Sequence, residues 1–425
     1  MILVQNRRLP LSGSRSLVLL TYFFLLSSCS LLQGTASAKS DVPETTDDKK
    51  KVEEKKEDTK KKEEKKKSTN TVTFHGEEFE VKPFDNKFNV ALILPFNLAK
   101  REEDALGKIM LDYYEGVLLA TDRLKEQGIN LTLFVYDNLN DTNELKRILK
   151  KEEMKTMSLI VGPVYKNHME IVSKYSKQTG IPVLNPLTPH SMLAEPNPYY
   201  FNNELEYSKV SGMLATYMHT NYPDADIIVV KDGKKLQQQM LPAFADTIKK
   251  LYGVSPKYVN AYRGMSFVDN VNKKKKTIIF IPSLETLTVS ESLNGLSGVD
   301  SNVIVFGFKE WLDLKNNDYK IWERCEMHLI ASGFVDYHDT AVMNFRQQYR
   351  EKFMGEPTDY VFKGYDDFLF FGEALLAFGP DFIRFIPNRE FRYLYNTYKF
   401  VLGDKCFENH GIAILRFKDY KLQRD

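Results

Sequence analysis

The chain has 425 residues, a formal net charge of +2 at pH 7 and 43% hydrophobic residues. Its length is sufficient for two lobes, each with a buried core. The near-zero net charge argues against a nucleic-acid partner, because such binding usually requires a strongly basic face.

The first 28 residues have the features of an export signal. Three arginines within the first 15 residues precede an apolar run over residues 17–26, which is too short to span a bilayer comfortably. The run ends in Leu26-Ser27-Ser28-Cys29, which resembles the bacterial lipobox. The resemblance implies cleavage before Cys29 and lipidation of that cysteine; the alternative is an ordinary membrane anchor with a chance cysteine. Ser30 after the cysteine implies sorting to the outer membrane in many Gram-negative bacteria, and we expect the protein to face the periplasm.

Residues 29–85 are predicted to form a lipid-anchored, largely disordered tether. Residues 39–67 consist mostly of Lys, Glu and Asp, and they cannot bury enough apolar surface to offset the entropy of ordering. A solvated lone helix is the alternative structure. The tether either lets the body search for a partner away from the membrane or serves as an inert spacer.

The rest of the chain alternates short apolar strands with amphipathic helices. Strands are predicted over residues 88–95, 131–136, 158–161, 181–184, 225–230, 277–281 and 302–306. Helices are predicted over residues 108–125, 143–153, 168–178, 242–252 and 367–378. This alternation predicts right-handed βαβ units, mainly parallel sheets and an α/β fold.

Short motifs in a fixed order resemble the type I periplasmic binding proteins, the superfamily of the branched-chain amino acid receptors. They are Leu94-Pro95-Phe96, Tyr113-Tyr114-Glu115-Gly116, Tyr136-Asp137, Val161-Gly162-Pro163, Gly180-Ile181-Pro182-Val183, Asn185-Pro186-Leu187-Thr188, Val305-Phe306-Gly307, Phe334-Val335-Asp336-Tyr337 and Gly364-Tyr365-Asp366. The resemblance covers nearly all of residues 86–420. It is closest to the Bacteroidetes envelope proteins that carry this domain, often beside a LysM module, although no LysM module is found here.

The resemblance implies two Rossmann-like lobes with parallel sheets, joined by three crossovers. It assigns residues 86–202 and 336–392 to the first lobe, and residues 203–335 and 393–425 to the second. The crossovers are expected near residues 200–203, near residues 334–337, and after the helix that ends at Gly379. Residues 398–417 are expected to form a hairpin or strand pair that completes the second lobe.

Ligands of open α/β sheets bind at the carboxyl ends of the strands, which places the predicted site in a cleft between the lobes. The candidate ligand contacts are Tyr165, Leu187, Thr188, Glu285, Glu310, Trp311, Tyr365 and Asp366. Each candidate also has a structural interpretation: Trp311 and Tyr365 as core aromatics, Asp366 as a helix cap, and Thr188 as a turn residue. Asn202-Asn203 stands where the amino-acid receptors usually have an arginine, so the fold inference is firmer than the ligand inference.

Three functions are compatible with this sequence. The first is a receptor that binds an amino acid or peptide-like ligand between its lobes for transport or sensing. The second is an envelope scaffold or regulator of peptidoglycan synthesis that uses the same fold without a small ligand. The third is an enzyme, which we do not expect because no Gly-x-Ser-x-Gly, His-Glu-x-x-His, Cys-x-x-Cys or phosphate-loop motif is present.

The expected partners are a small molecule or an envelope protein, and the membrane through the N-terminal lipid. No cofactor and no metal are expected, because none of the seven histidines forms an i, i+4 pair suited to zinc. With Cys29 lipidated, Cys325 and Cys406 remain. They are either a disulfide formed in an oxidising compartment or two buried free thiols.

Overall fold

A computed structural model describes residues 70–98, 104–187, 193–204, 206–272, 274–299, 302–315 and 317–425. These residues belong to one compact unit. The predicted signal peptide, Cys29 and most of the predicted tether lie outside the described residues. Within the described ranges, no helix has the length and apolar character that crossing a membrane requires.

The described chain alternates helices and strands from residue 88 onwards. The helices are α1 (Ala105–Glu126), α2 (Thr142–Leu149), α3 (Lys166–Thr179), α4 (Tyr207–Asn221), α5 (Lys235–Tyr252), α6 (Thr286–Asn294), α7 (Tyr319–Arg324), α8 (Thr340–Phe353) and α9 (Asp359–Phe378). The strands up to the first crossover are β1 (Asn70–Phe74), β2 (Glu77–Val81), β3 (Phe88–Leu94), β4 (Leu131–Asp137), β5 (Met157–Val161), β6 (Val183–Asn185) and β7 (Tyr200–Asn202). The later strands are β8 (Asp226–Lys231), β9 (Lys257–Asn260), β10 (Thr277–Phe280), β11 (Val303–Phe308), β12 (His328–Ala331), β13 (Phe391–Arg392), β14 (Thr397–Tyr398), β15 (Phe400–Leu402), β16 (Phe407–Asn409), β17 (Ala413–Lys418) and β18 (Lys421–Arg424).

Two seven-stranded sheets form the cores of the two lobes. The first sheet has the order β15-β16-β7-β6-β5-β3-β4, and the second has the order β18-β17-β12-β11-β10-β8-β9. In both sheets the first five strands in sequence are parallel and follow the doubly wound order 2-1-3-4-5. The predicted α/β fold with two parallel-sheet lobes is therefore confirmed.

The predicted helices are found, but α2 ends at Leu149 rather than at residue 153, and two helices begin well before the predicted residue. Helix α5 begins at Lys235 rather than at Pro242, which lies inside the helix. The Gln237 side chain explains the earlier start, because it donates to the Val230 carbonyl at 2.9 Å and accepts from the Asp232 N–H at 2.9 Å. These bonds tie the first turn of the helix to the end of β8. Helix α9 begins at Asp359, eight positions before the predicted start at residue 367.

The end of the chain divides between the lobes, which corrects the prediction that residues 393–425 belong to the second lobe. Strand β16 pairs in parallel with β7 of the first sheet, whereas β17 pairs antiparallel with β12 of the second. Aromatic packing explains the assignment of β16, because the Phe407 ring stacks on that of Phe201 at 4.7 Å. The third crossover therefore lies at residues 410–412, about thirty residues after the predicted position behind Gly379.

An N-terminal hairpin of β1 and β2 corrects the C-terminal end of the predicted tether. The two strands pair antiparallel from Asn70↔Val81 to Phe74↔Glu77. Phe74 is buried, and its ring lies 4.9 Å from that of Phe378 and 5.3 Å from that of Phe391. Alternation of apolar and polar residues along both strands gives the hairpin one face that packs on the first lobe.

Helices α1 and α9 pack against each other through glycines. A Cβ atom on Gly116 would lie 2.0 Å from the Val361 carbonyl oxygen, and one on Gly364 would lie 2.0 Å from the Tyr113 carbonyl oxygen. The two backbones are therefore too close for any side chain at these positions. This contact attaches α9, which follows the second crossover, to the first lobe.

The two remaining cysteines are free thiols in separate cores. Cys325 is buried in the core of the second lobe, and Cys406 is buried against the first sheet. The structure thus answers the question that the sequence left open. Burial raises the pKa of the Cys325 thiol, which makes it a packing residue rather than a reactive one.

Candidate functional site

The prediction places the ligand site at loops that follow the carboxyl ends of strands in the two sheets. In the first sheet the strand order reverses between β3 and β5, and in the second it reverses between β8 and β10. Ligands of doubly wound sheets bind beside such reversal points. The loops at issue are residues 95–98 and 162–165 in the first lobe, and residues 232–234 and 281–285 in the second.

In the first lobe, backbone N–H groups of the loop after β3 donate hydrogen bonds to a side chain of the protein itself. The Oδ1 atom of Asp137 accepts hydrogen bonds from the backbone N–H groups of Phe96 (3.1 Å) and Asn97 (3.3 Å). Its Oδ2 atom accepts one from Leu98 at 3.4 Å. Asn97 adopts the left-handed conformation (φ 49°), which lets these N–H groups converge. These three backbone donors are therefore occupied by the protein itself.

Tyr165 lies at the reversal point of the first lobe. It precedes α3, is half-buried, and its ring lies 5.9 Å from that of His168 in an edge-on contact. Burial raises the pKa of Tyr165, and the nearby Asp104 carboxylate adds to the increase. Leu187, after β6, is also half-buried and packs on the same core. Both side chains pack on the first-lobe core at loops that follow strands β5 and β6, whereas Thr188 lies outside the described residues.

The second-lobe wall presents carboxylates. The Ser283 hydroxyl donates to the Asp232 carboxylate at 2.5 Å, which closes the reversal point between β8 and β10. Glu285 and Glu310 follow β10 and β11, and their side chains are exposed. Neither carboxylate makes a hydrogen bond or salt bridge to another described residue. These two side chains are therefore available to a ligand.

Trp311 is not presented to the cleft, which corrects one predicted ligand contact. It is 1% exposed, and its Nε1–H donates to the Ser283 carbonyl at 2.9 Å. The indole packs against Gly307, where a Cβ atom would lie 2.1 Å from the ring. Trp311 is a core aromatic with a satisfied polar group, which is the structural interpretation considered above.

Asp366 is a second correction, because its carboxylate faces the interior of the first lobe. It is fully buried and accepts hydrogen bonds from the backbone N–H groups of Leu394 (3.2 Å), Tyr395 (2.7 Å) and Asn396 (2.8 Å). It thus holds the turn between β13 and β14 against α9. Its role is structural, and no acceptor capacity is directed at the cleft.

Asp367 is the centre of a buried polar network that the sequence analysis missed. Its carboxylate accepts hydrogen bonds from the Tyr113 hydroxyl (2.8 Å), the Asn203 amide (2.6 Å), the Asn396 amide (3.1 Å) and the Tyr398 hydroxyl (2.6 Å). All five residues are buried. A buried carboxylate with four donors is a fully satisfied network, and such networks give a core a single arrangement.

This network reaches all three crossovers. Asn203 lies at the first crossover, and its Oδ1 accepts from Asn409, immediately before the third, at 2.9 Å. At the second crossover, the Phe334 N–H donates to the Tyr395 carbonyl at 2.9 Å, within the turn that Asp366 holds. The Asp366–Asp367 pair on α9 therefore fixes the first-lobe ends of the connections between the lobes.

The ion pair between Lys309 and Asp359 joins the two lobes. Lys309, after β11, donates to the Asp359 carboxylate at the start of α9 at 2.8 Å and to the Gly333 carbonyl at 3.3 Å. Burial opposes the charge on Lys309, but Tyr395 and Asp359 outweigh it and raise its pKa. Lys309 therefore remains charged and links the second-lobe wall to the first lobe.

The buried acids make stability depend on pH. Burial raises the pKa of Asp366 to about 7, although the N–H groups of Asn396 and Tyr395 favour its charged form. The folded state therefore binds more protons than the unfolded chain between about pH 4 and pH 7, and stability falls as pH rises through this window. We expect the free energy of unfolding of the wild type, relative to that of Asp366→Asn, to fall between about pH 4 and about pH 7 in urea titrations. A constant difference would contradict this prediction.

Tyr365 lines a different cavity from the predicted cleft. It is half-buried, its ring lies 4.6 Å from that of Phe345, and burial raises its pKa to about 12. The cavity beside it is also lined by α1, α8 and the second crossover. No group of three or more His, Cys, Asp or Glu side chains in the described ranges could hold a metal ion.

Comparison with known proteins gives a fold match only. No protein-family model matches the chain, and no curated protein matches it. A Rhodospirillum rubrum protein assigned to the branched-chain amino acid ABC transporters superposes with a TM-score of 0.59 at 13% identity, covering 80% of this chain and 100% of that one. The C-domain of LpoA from Haemophilus influenzae, a regulator of PBP1A, superposes with a TM-score of 0.54 at 15% identity, covering 79% and 99%.

An ABC transporter substrate-binding protein from Desulfitobacterium hafniense gives a TM-score of 0.50 at 17% identity, covering 80% of this chain and 100% of that one. Structural similarity at such low sequence identity establishes the fold of this chain, but it does not establish which ligand or partner the chain binds. In this chain, the two largely parallel sheets have the same strand order, and the chain passes three times between them. The chain has the two-lobed α/β fold of the type I periplasmic binding proteins.

Proposed function

We propose that the protein binds a small ligand, an amino acid or a peptide-like molecule, in the cleft between its lobes for transport or sensing. The observation that carries this proposal is the pair of exposed, unpaired carboxylates, Glu285 and Glu310, on the second-lobe wall. In this proposal Tyr165 and Leu187, which are half-buried on the first-lobe core, form the opposing wall. A ligand that touches both walls would stabilise the closed arrangement, which is how such lobes respond to binding.

The available groups favour a ligand recognised through an amine. The backbone N–H groups after β3 are filled by Asp137, so they are not free to take a ligand carboxylate. The second-lobe wall offers acceptors instead of donors. This chemistry fits an amino-terminal or side-chain ammonium group better than a free carboxylate.

The proposed location is the cell envelope. Cleavage before Cys29 and its lipidation would anchor the chain, and Ser30 favours the outer membrane with the body facing the periplasm. The lipobox-like tetrapeptide and the basic, apolar segment before it support this proposal. Similarity to the Bacteroidetes envelope proteins that carry this domain belongs to the same proposal.

A second candidate function is an envelope scaffold or regulator of peptidoglycan synthesis. The observation that favours it is the internal satisfaction of both reversal points, by Asp137 in the first lobe and by the Ser283–Asp232 pair in the second. A site prepared for a small carboxylate would leave such groups open. The fold match to the LpoA C-domain supports this candidate equally.

A thermal unfolding screen separates the two candidates. The purified protein would be tested against amino acids, short peptides, amines and peptidoglycan fragments. A ligand at a hundredfold its dissociation constant stabilises the fold by about 2.7 kcal/mol, a shift of a few degrees. A saturable shift would establish the receptor and its ligand class. No shift with any compound would contradict the receptor and support the scaffold, whose partner would be sought by crosslinking in cells.

Glu310→Gln is expected to weaken binding of the amine ligand by roughly tenfold to a hundredfold, because a hydrogen bond to a charged group is lost. Isothermal titration calorimetry measures the change. Glu351→Gln is the matched control, since Glu351 is exposed on α8 and hydrogen-bonds only with Gln347 among the described residues. Unchanged affinity in Glu310→Gln would remove this residue from the site.

A further inference from the structure

A cavity of about 540 Å³ lies where the second crossover meets the first lobe, and we call it the hinge cavity. It is lined by Arg123, Gln127, Phe334, Asp336, Asp339, Ala341, Tyr365, Leu369, Glu373, Arg392, Tyr393, Leu394 and Arg424. Its volume suits a small organic molecule. Of the predicted cleft residues, Tyr365 alone contributes to it.

Three arginines line the hinge cavity. Arg123 comes from α1, Arg392 ends β13, and Arg424 ends β18. Arg424 donates to the Phe334 carbonyl at 3.0 Å and to the Tyr395 carbonyl at 2.9 Å, which holds its guanidinium in place. Burial and the nearby charge of Arg392 lower the pKa of Arg424, whereas the carboxylates of Asp366, Asp336 and Glu390 act in the opposite direction. The planar guanidinium group of an arginine binds a carboxylate through paired hydrogen bonds.

The acidic side chains that line the cavity already accept hydrogen bonds from other groups of the protein. Asp339 accepts from the Ala341 N–H at 2.7 Å as the N-cap of α8, and Asp336 accepts from the His338 N–H at 3.0 Å. Glu373 accepts hydrogen bonds from the Tyr393 hydroxyl and from Gln127. These bonds hold the acids in fixed positions and occupy part of their hydrogen-bonding capacity.

By contrast, the ion pairs of the outer arginines are weak. Arg123 lies 3.2 Å from Glu126 and Arg392 lies 3.3 Å from Glu390, with all four side chains at least 45% exposed. Exposed pairs of this kind contribute little and exchange readily with a ligand. Leu369, Phe334 and Leu394 supply an apolar lining between the charged groups.

We propose that the hinge cavity is a second binding site, which takes a small organic anion with an apolar body, of the dicarboxylate class. The arginines bind its carboxylates, and the leucines and aromatic rings bury its hydrocarbon part. The proposal is independent of what the interlobe cleft binds, because none of the cleft loops lines the hinge cavity.

The hinge cavity is lined by residues of both lobes. Arg424 belongs to the second sheet, Arg123 and Tyr365 belong to first-lobe helices, and Phe334 belongs to the second crossover. A ligand that contacts all of them binds with an affinity that depends on the angle between the lobes. By reciprocity, an anion in this cavity changes the affinity of the cleft for its own ligand.

The test is calorimetric titration of the full-length protein with adipate and suberate, and with 1,6-diaminohexane as a probe of similar length and opposite charge. We expect saturable binding of a dicarboxylate and none of the diamine. Arg392→Gln and Arg123→Gln should each weaken dicarboxylate binding by roughly tenfold or more, because each removes a charge-assisted contact. Arg384→Gln is the matched control, since Arg384 is an exposed arginine of the first lobe outside the cavity.

Absence of saturable binding by either dicarboxylate would overturn the proposal. Equal affinities in the wild type, Arg392→Gln and Arg123→Gln would also overturn it, because binding would then occur elsewhere. Both arginines are exposed, so their replacement should leave folding intact. Thermal unfolding of each variant without ligand verifies this point.

Discussion

Asp367→Ala is expected to lower the free energy of unfolding by about 3–5 kcal/mol, the largest effect of any single substitution considered. The change leaves two tyrosine hydroxyls and two asparagine amides buried without their shared acceptor. It also removes a negative charge near Lys363, which is buried and pairs with Glu204 at 2.6 Å. Unsatisfied buried donors and a less compensated buried charge both destabilise the folded state. Urea unfolding followed by circular dichroism measures the difference.

Asp122→Ala is the matched control for that experiment. Asp122 is also an aspartate of the first lobe that pairs with a lysine, Lys352, but its side chain is 57% exposed. The expected loss is below about 1 kcal/mol, because exposed ion pairs contribute little. Equal losses of the free energy of unfolding in Asp367→Ala and Asp122→Ala would show that the buried network stabilises the protein no more than an exposed ion pair does.

Gly364→Ala is expected to destabilise the protein by about 3 kcal/mol, and Gly116→Ala by a similar amount. At both positions the new methyl group meets a backbone carbonyl oxygen at 2.0 Å, which no rotamer change can relieve. Helices α1 and α9 would have to separate, and that movement would disturb the contact that attaches α9 to the first lobe. The measurement is again urea unfolding, with the midpoint and slope compared between variants.

Gly212→Ala is a control that is expected to change the stability of the protein in the opposite direction. Gly212 lies within α4, and the nearest atom to an added Cβ is the Thr247 hydroxyl oxygen at 3.6 Å, an ordinary contact. Alanine is favoured over glycine inside a helix by up to about 1 kcal/mol, so this variant should be slightly more stable than the wild type. Destabilisation of similar size in all three variants would contradict the close-approach explanation.

The alternation of strands and helices was predictable because buried parallel strands are short continuous apolar runs. Residues 88–95 and 277–281 show such runs, and both form central strands of their sheets. The tail was harder to assign, because β16 has three residues and pairs with a strand about two hundred positions earlier. Short strands with distant partners carry no local signal, so their sheet is decided by tertiary packing, here by Phe201 and Phe407.

The candidate site was predicted less well, because residue type does not reveal the direction of a side chain. Trp311 and Asp366 follow strands or lie in helices at plausible positions, yet both point into cores. One signal for the missed network was present in the sequence. Asp366 and Asp367 are consecutive acids within a helix that is otherwise largely apolar, and such charges are rarely buried without partners. Asn203, at a position where the receptors carry an arginine, is one of those partners.

The order in which the chain visits the two lobes has a consequence for its synthesis. The core of the first lobe needs α9 and β16, and the second sheet needs β17 and β18, which end at Arg424. Because a chain emerges from the ribosome N-terminus first, neither lobe can be completed while residues 70–400 are being made. The parallel strands of both sheets are therefore made well before the strands that complete them, and the topology itself delays folding.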